Sequence, residues 1–190
     1  APRFIVITGG SAGGHLVALA ALTGNQPQLQ PGFEGADTSV QVVVPFYGKY
    51  DLLGEYQPDP AFADFMAKNL MPGSRRAHDA LWRAMHPTSH LNSIDAQRAP
   101  PFLVLHGTHD QLIPLAEARW FAGELRRRYA GEVVYVELPY AHHAWDLSHS
   151  LRADLTVEAL QHYLELQYAR WCRRHGFEPT PALVRAQSTQ

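Results

Sequence analysis

Phe4-Ile5-Val6-Ile7-Thr8-Gly9-Gly10-Ser11-Ala12-Gly13-Gly14-His15-Leu16 is the stretch that decides how this chain is read. The β-branched run Phe4 to Thr8 has the composition of a strand ended by Gly9-Gly10, and Ala12 to Thr23, rich in Ala and Leu, has that of a helix. The turn between them carries the pattern G-x-S-x-G, with Gly9 and Gly13 two residues to either side of Ser11. A serine on a sharp strand-to-helix turn sits on strained backbone, and small neighbours let strand and helix converge. The free N–H groups and positive dipole end of the helix then face any negative charge that develops beside the hydroxyl. Ser11 is therefore the expected nucleophile and the Ala12 N–H an expected oxyanion donor. A phosphate-cradling loop would need a Lys after the glycines, where His15 and Leu16 stand, and the dinucleotide fingerprint G-x-G-x-x-G is not matched.

Outward from this turn, apolar runs alternate with helical segments. Val40 to Val44 reads as a strand stopped by Pro45, Phe102 to His106 as a third and Val133 to Leu138 as a fourth. Gln26 to Ser39 is a connection. Pro58 to Pro87, broken at Pro72-Gly73, reads as an insertion of two short helices, and Pro114 to Tyr129 as a helix with Pro in its first turn. From about Ser148 to His175 one long helix or two are expected, with the end from Gly176 onward frayed. This alternation predicts an α/β fold, a doubly wound, mostly parallel sheet of about four strands in one domain over 1–175.

A nucleophilic serine needs a base and an acid, which on such a sheet follow it in the order Ser, acid, His on loops after later strands. Asp110, in His106-Gly107-Thr108-His109-Asp110, fills the acid position after the third strand, with Asp51 after the second strand as its competitor. The loop Pro139 to Leu147 offers two bases, His142 and His143. Phe46, Tyr47, Tyr50, Trp82 and Trp145 are candidate pocket aromatics, and Trp145 is the one assigned to substrate binding. A metal centre built on His106, His109, Asp110, His142, His143 and Asp146 matches no familiar zinc spacing, so neither metal nor cofactor is expected.

Charge and composition narrow the partners. A formal charge of −2 with no Lys/Arg block gives no footprint for nucleic acid. No apolar stretch approaches the roughly 20 residues of a membrane helix, and the first residues lack the basic and cleavage regions of a signal peptide. Cys172, the single cysteine, has no partner for an internal disulfide.

Gly-Gly-Ser-Ala-Gly-Gly-His-Leu at 9–16, His-Gly-Thr-x-Asp-x-x-Ile-Pro at 106–114 and Ala-x-His-Ala-Trp-Asp at 141–146 resemble the esterase/lipase branch of the α/β-hydrolases, which includes hormone-sensitive-lipase-like carboxylesterases. Pro-Phe-Tyr-Gly-x-Tyr-Asp at 45–51 is similar to actinobacterial, especially mycobacterial, members. The chain departs from many relatives in having Gly10, not Asp, before the nucleophile. The resemblance implies His143 as the base, with His142 as the alternative, and a serine carboxylesterase acting on short- to medium-chain esters. A formamidase, other amidase, deacetylase or peptidase with the same triad is the alternative, or a non-catalytic fragment that binds a partner. It further implies that this chain is the C-terminal half of the fold, with an earlier half supplying further strands and oxyanion donors. Its first strand would then be central in the complete sheet, exposing an edge to that half or to a second copy. The location implied is cytoplasmic from this chain alone, and membrane or cell envelope if an earlier segment anchors it.

Overall fold

The computed structural model describes residues 4–95 and 97–179. The chain divides into two compact units, one of Val6–Ala144 and one of Ala1–Ile5 with Trp145–Gln190.

The first unit is built on a sheet of four strands, β1 (Val6–Gly10), β2 (Val42–Phe46), β3 (Phe102–Gly107) and β4 (Val133–Leu138), in the order β1-β2-β3-β4. Every pairing is parallel, as crossovers through helices require. Between the strands lie α1 (Ala12–Leu22), α2 (Pro60–Asn69), α3 (Asp79–Ala84) and α4 (Leu115–Arg128). Ala18 and Leu22 of α1, Val43 and Val104 of the sheet, and Phe121 and Leu125 of α4 share one core. Tyr50, on the loop after β2, stacks on Phe121 with ring centroids 3.9 Å apart. The insertion forms a smaller cluster, in which Met66 of α2 and Trp82 of α3 pack with Leu52 and Leu53.

Two strands start later than their composition predicts. Strand β1 begins at Val6, not Phe4, and runs through Gly9 and Gly10, while β2 covers Val42–Phe46 and continues through Pro45. The register explains both shifts, since Val6 pairs with Val42 and Gly10 with Phe46. Pro45 is tolerated because of the way the donors alternate. The N–H groups of Val43 and Tyr47 donate to Pro101 and Leu105 of the β3 segment, and position 45 between them faces the same side. The ladder to β3 therefore forgoes one hydrogen bond there, and the pairing to β1 is left whole.

In the second unit α5 (Leu151–His175) is one helix. The Ser150 side chain caps it by accepting from Ala153 N–H. Gly176 closes it in the left-handed conformation at φ 71°. Phe4 packs edge-on against Tyr168 and Trp171. Most of the end expected to fray, from residue 180, lies outside the described residues.

Candidate active site

Ser11 sits at the junction of β1 and α1 with φ 56° and ψ −118°. A non-glycine residue holds such a conformation only where its surroundings over-determine it. Here the Ser11 N–H donates to the Phe46 carbonyl at 3.0 Å and its own carbonyl accepts from His15 N–H at 3.1 Å. The glycines around it are not equivalent. A Cβ on Gly9 would lie 2.7 Å from the Gly13 backbone, and one on Gly14 would lie 2.6 Å from the Phe46 carbonyl oxygen. A Cβ on Gly13 would meet nothing within 4 Å, so the expected steric demand applies to Gly9 and not to Gly13. At Gly10 the space is filled by the Tyr47 ring, which gives a steric reason for glycine where many relatives have Asp.

Asp110 lies on the loop between β3 and α4 with its side chain fully buried. Its Oδ1 accepts from the Leu112 and Ile113 N–H groups at 2.9 and 2.8 Å. Its Oδ2 lies 2.8 Å from His143 Nδ1, and His143 Nε2 lies 2.9 Å from Ser11 Oγ. A carboxylate oxygen accepts, so Nδ1 of a neutral imidazole donates to it and Nε2 presents a lone pair to the serine hydroxyl. Hydroxyl, imidazole and carboxylate thus form one hydrogen-bonded line within the Val6–Ala144 unit.

The loops that carry Asp110 and His143 are tied to each other. Thr108 N–H donates to Leu138 O, His109 N–H to Ala141 O at 2.9 Å, and Tyr140 N–H to Thr108 Oγ1 at 2.8 Å. A Cβ at Gly107 would run into the Ala141 carbonyl, so glycine is needed where these loops touch. Tyr140 and Ala144, both at positive φ, bound the turn that presents His143.

The competing candidates are engaged elsewhere. Asp51 accepts from the N–H groups of Glu55, Tyr56 and Gln57. His142 Nδ1 is 3.1 Å from the His109 carbonyl. Among the described residues no group of three or more His, Cys, Asp or Glu side chains is arranged to hold a metal ion. Of the pocket aromatics, Tyr50 and Trp82 are core residues, Tyr47 stands against His143, and Trp145 begins the second unit.

Two further buried side chains carry polar contacts. His106, fully buried in β3, donates from Nε2 to the Ile113 carbonyl at 2.9 Å and lies 3.4 Å from Asp110 Oδ2. Burial holds its pKa below the usual imidazole value. Glu117 of α4, 2% exposed, accepts from the N–H groups of Tyr50 and Asp51 and pairs with Lys49 Nζ at 2.6 Å. An acidic residue in a first helical turn is common, and nothing in the local sequence distinguishes this one.

The chain is similar to known esterases. It is 45% identical over 169 residues to the Mycobacterium tuberculosis esterase LipQ, covering 89% of this chain and 39% of LipQ. It is 44% identical over 184 residues to the probable carboxylic ester hydrolase LipM of the same organism, covering 96% of this chain and 41% of LipM. The chain thus spans about two fifths of these relatives' length. The fold matches that of a thermophilic esterase from Thermogutta terrifontis, with a TM-score of 0.64 at 21% identity over 84% of this chain and 55% of that one. The BD-FAE family model matches residues 1–125, and with the α/β-hydrolase architecture this places the chain in the BD-FAE family.

Proposed function

We propose that this chain carries the serine, base and acid of a carboxylic ester hydrolase that works through an acyl-enzyme on short- to medium-chain esters. The observation that carries this reading is the line Ser11 Oγ, His143 Nε2, His143 Nδ1, Asp110 Oδ2, with links of 2.9 and 2.8 Å. The esterase names of the mycobacterial relatives support the ester class.

Ser11 Oγ attacks the ester carbonyl carbon as its proton passes to His143 Nε2, and Asp110 holds the resulting imidazolium. The C–O bond to the alcohol breaks, and the alcohol leaves with the proton from Nε2. Water, deprotonated at Nε2, then attacks the acyl-enzyme and releases the carboxylic acid and free Ser11. The oxyanion forms beside the start of α1, where the Ala12 N–H is one donor. The remaining donors come from a segment outside this chain, and the same portion of the fold pairs with the open edge of β1. No helix of the described residues is long and apolar enough to cross a membrane.

A fluorophosphonate probe and a series of p-nitrophenyl esters of increasing acyl length test the reading on the complete protein. Labelling at Ser11, with turnover of short and medium esters that Ser11→Ala abolishes, is expected. An intact, folded protein that neither labels nor turns over any ester would overturn it. Because losing one oxyanion donor costs about 100- to 1,000-fold in turnover, residues 1–190 alone are expected to hydrolyse esters at least that much more slowly than the complete protein.

A further inference from the structure

Tyr47 lies immediately after β2 with its ring against the His143 imidazole, centroids 4.7 Å apart and planes inclined at 61°. It is only 3% exposed and holds φ at 37°, a region that non-glycine residues rarely occupy. At the hydroxyl end of the ring is Gly10, where a Cβ would lie 2.5 Å from the Tyr47 hydroxyl and 2.8 Å from two ring carbons. The ring therefore lies against both the residue before the nucleophile and the base.

The surroundings hold Tyr47 in this strained position from both ends. Its N–H donates to Leu105 O at 2.8 Å, and the carbonyl just before it accepts from Ser11 N–H at 3.0 Å. Beyond it, Glu117 accepts from Tyr50 and Asp51 N–H at 2.7 and 2.8 Å and binds Lys49 Nζ. His15 Nδ1 meets the Lys49 carbonyl at 2.9 Å. Strain kept this way is a feature of functional sites. The two His143 nitrogens are already engaged in the plane of the imidazole, so the motion left to it is rotation out of the Ser11–Asp110 line, and the Tyr47 ring blocks that motion from one side.

We propose that Tyr47 is a positioning residue for His143, acting through the bulk of its ring. The proposal rests on the esterase reading above. It is tested in the complete protein with Tyr47→Phe and Tyr47→Leu, measuring kcat and KM on a short ester, the rate of Ser11 labelling, and the low-field proton resonance of the His143–Asp110 hydrogen bond. Tyr47→Phe is expected to keep most of kcat and the resonance. Tyr47→Leu is expected to lose about 10- to 100-fold in kcat and in labelling rate, the scale set by a misplacement near 1 Å, with KM changed little and the resonance broadened. A Leu variant equal to wild type overturns the proposal, as does a Phe variant as impaired as Leu, which would assign the role to the hydroxyl. A wild type that never labels at Ser11 would instead bring down the esterase reading itself.

Discussion

Asp110 meets His143 with one carboxylate oxygen and the protein backbone with the other. Oδ2 faces Nδ1 at 2.8 Å, and Oδ1 is held by the Leu112 and Ile113 amides. This division of labour predicts the effect of Asp110→Asn. The two amides require an acceptor, so the Asn carbonyl takes the Oδ1 position and its NH2 is turned toward His143. Nδ1 must then accept, the proton moves to Nε2, and the imidazole points a donor at Ser11. We expect kcat to fall by roughly 1,000- to 10,000-fold with little change in KM or fold. Steady-state kinetics with circular dichroism checks this, and a loss below about 10-fold would contradict the assigned tautomer.

The turn that carries Ser11 makes a sharp distinction between its flanking glycines. Gly9→Ala forces a Cβ to 2.7 Å from the Gly13 backbone, which cannot move without displacing α1. It is expected to destabilise by about 1–3 kcal/mol. Gly13 lies inside α1 with nothing near the new methyl, so Gly13→Ala is expected to be neutral or to stabilise by about 0.5–1 kcal/mol. Urea titrations of the two variants decide the matter, and equal losses would refute it.

Glu117 supplies the acceptor for two buried backbone N–H groups and the counter-charge for Lys49, across 66 to 68 residues of sequence. Glu117→Ala leaves all three without it. Breaking a buried charged network from one side costs about 3–5 kcal/mol. The urea midpoint should drop accordingly, whereas a change under about 1 kcal/mol would mean that water or another group replaces the carboxylate.

Three imidazoles link stability to pH. His15, His86 and His106 are each held below the usual 6.5, first by burial. On acidification the unfolded chain takes up a proton at each near 6.5, while the folded chain stays neutral until a lower pH. The unfolded state then binds more protons, so stability is full above about 6.5 and declines as pH falls through that value. The slope is at most about 1.4 kcal/mol per pH unit for each imidazole. Urea midpoints from about pH 7.5 to about pH 5 should show the decline, and replacing His106 should make it shallower. A flat profile over that range would rule out this linkage.

How much of this was legible in the sequence differs from residue to residue. The Ser11 turn is local, and its chemistry is written in consecutive residues. Strand ends were displaced by two residues in β1 and β2 because register is set by the partner strand, and because Pro45 spends its missing donor on the β3 side only. Asp110 and His143 could be narrowed to loops by chain order. The choice of His143 over His142, however, depends on the backbone at Tyr140 and Ala144, whose positive φ values no propensity announces. Tyr47 and Glu117 were the least visible. Each is defined by groups distant in sequence, and a buried Glu in a first helical turn reads like any surface acid.

Among the described residues β1 has a neighbouring strand, β2, on one side only. Its amides therefore divide into two populations. Those of Ile7 and Gly9 alternate with Ser11, whose N–H donates toward β2, while Thr8 and Gly10 point outward. Deuterium should enter the outward set first in this chain, and a segment that completes the sheet would slow it there. The hydroxyl hung from that margin is only as firmly fixed as the margin itself, so closing the sheet and readying the nucleophile would be a single event.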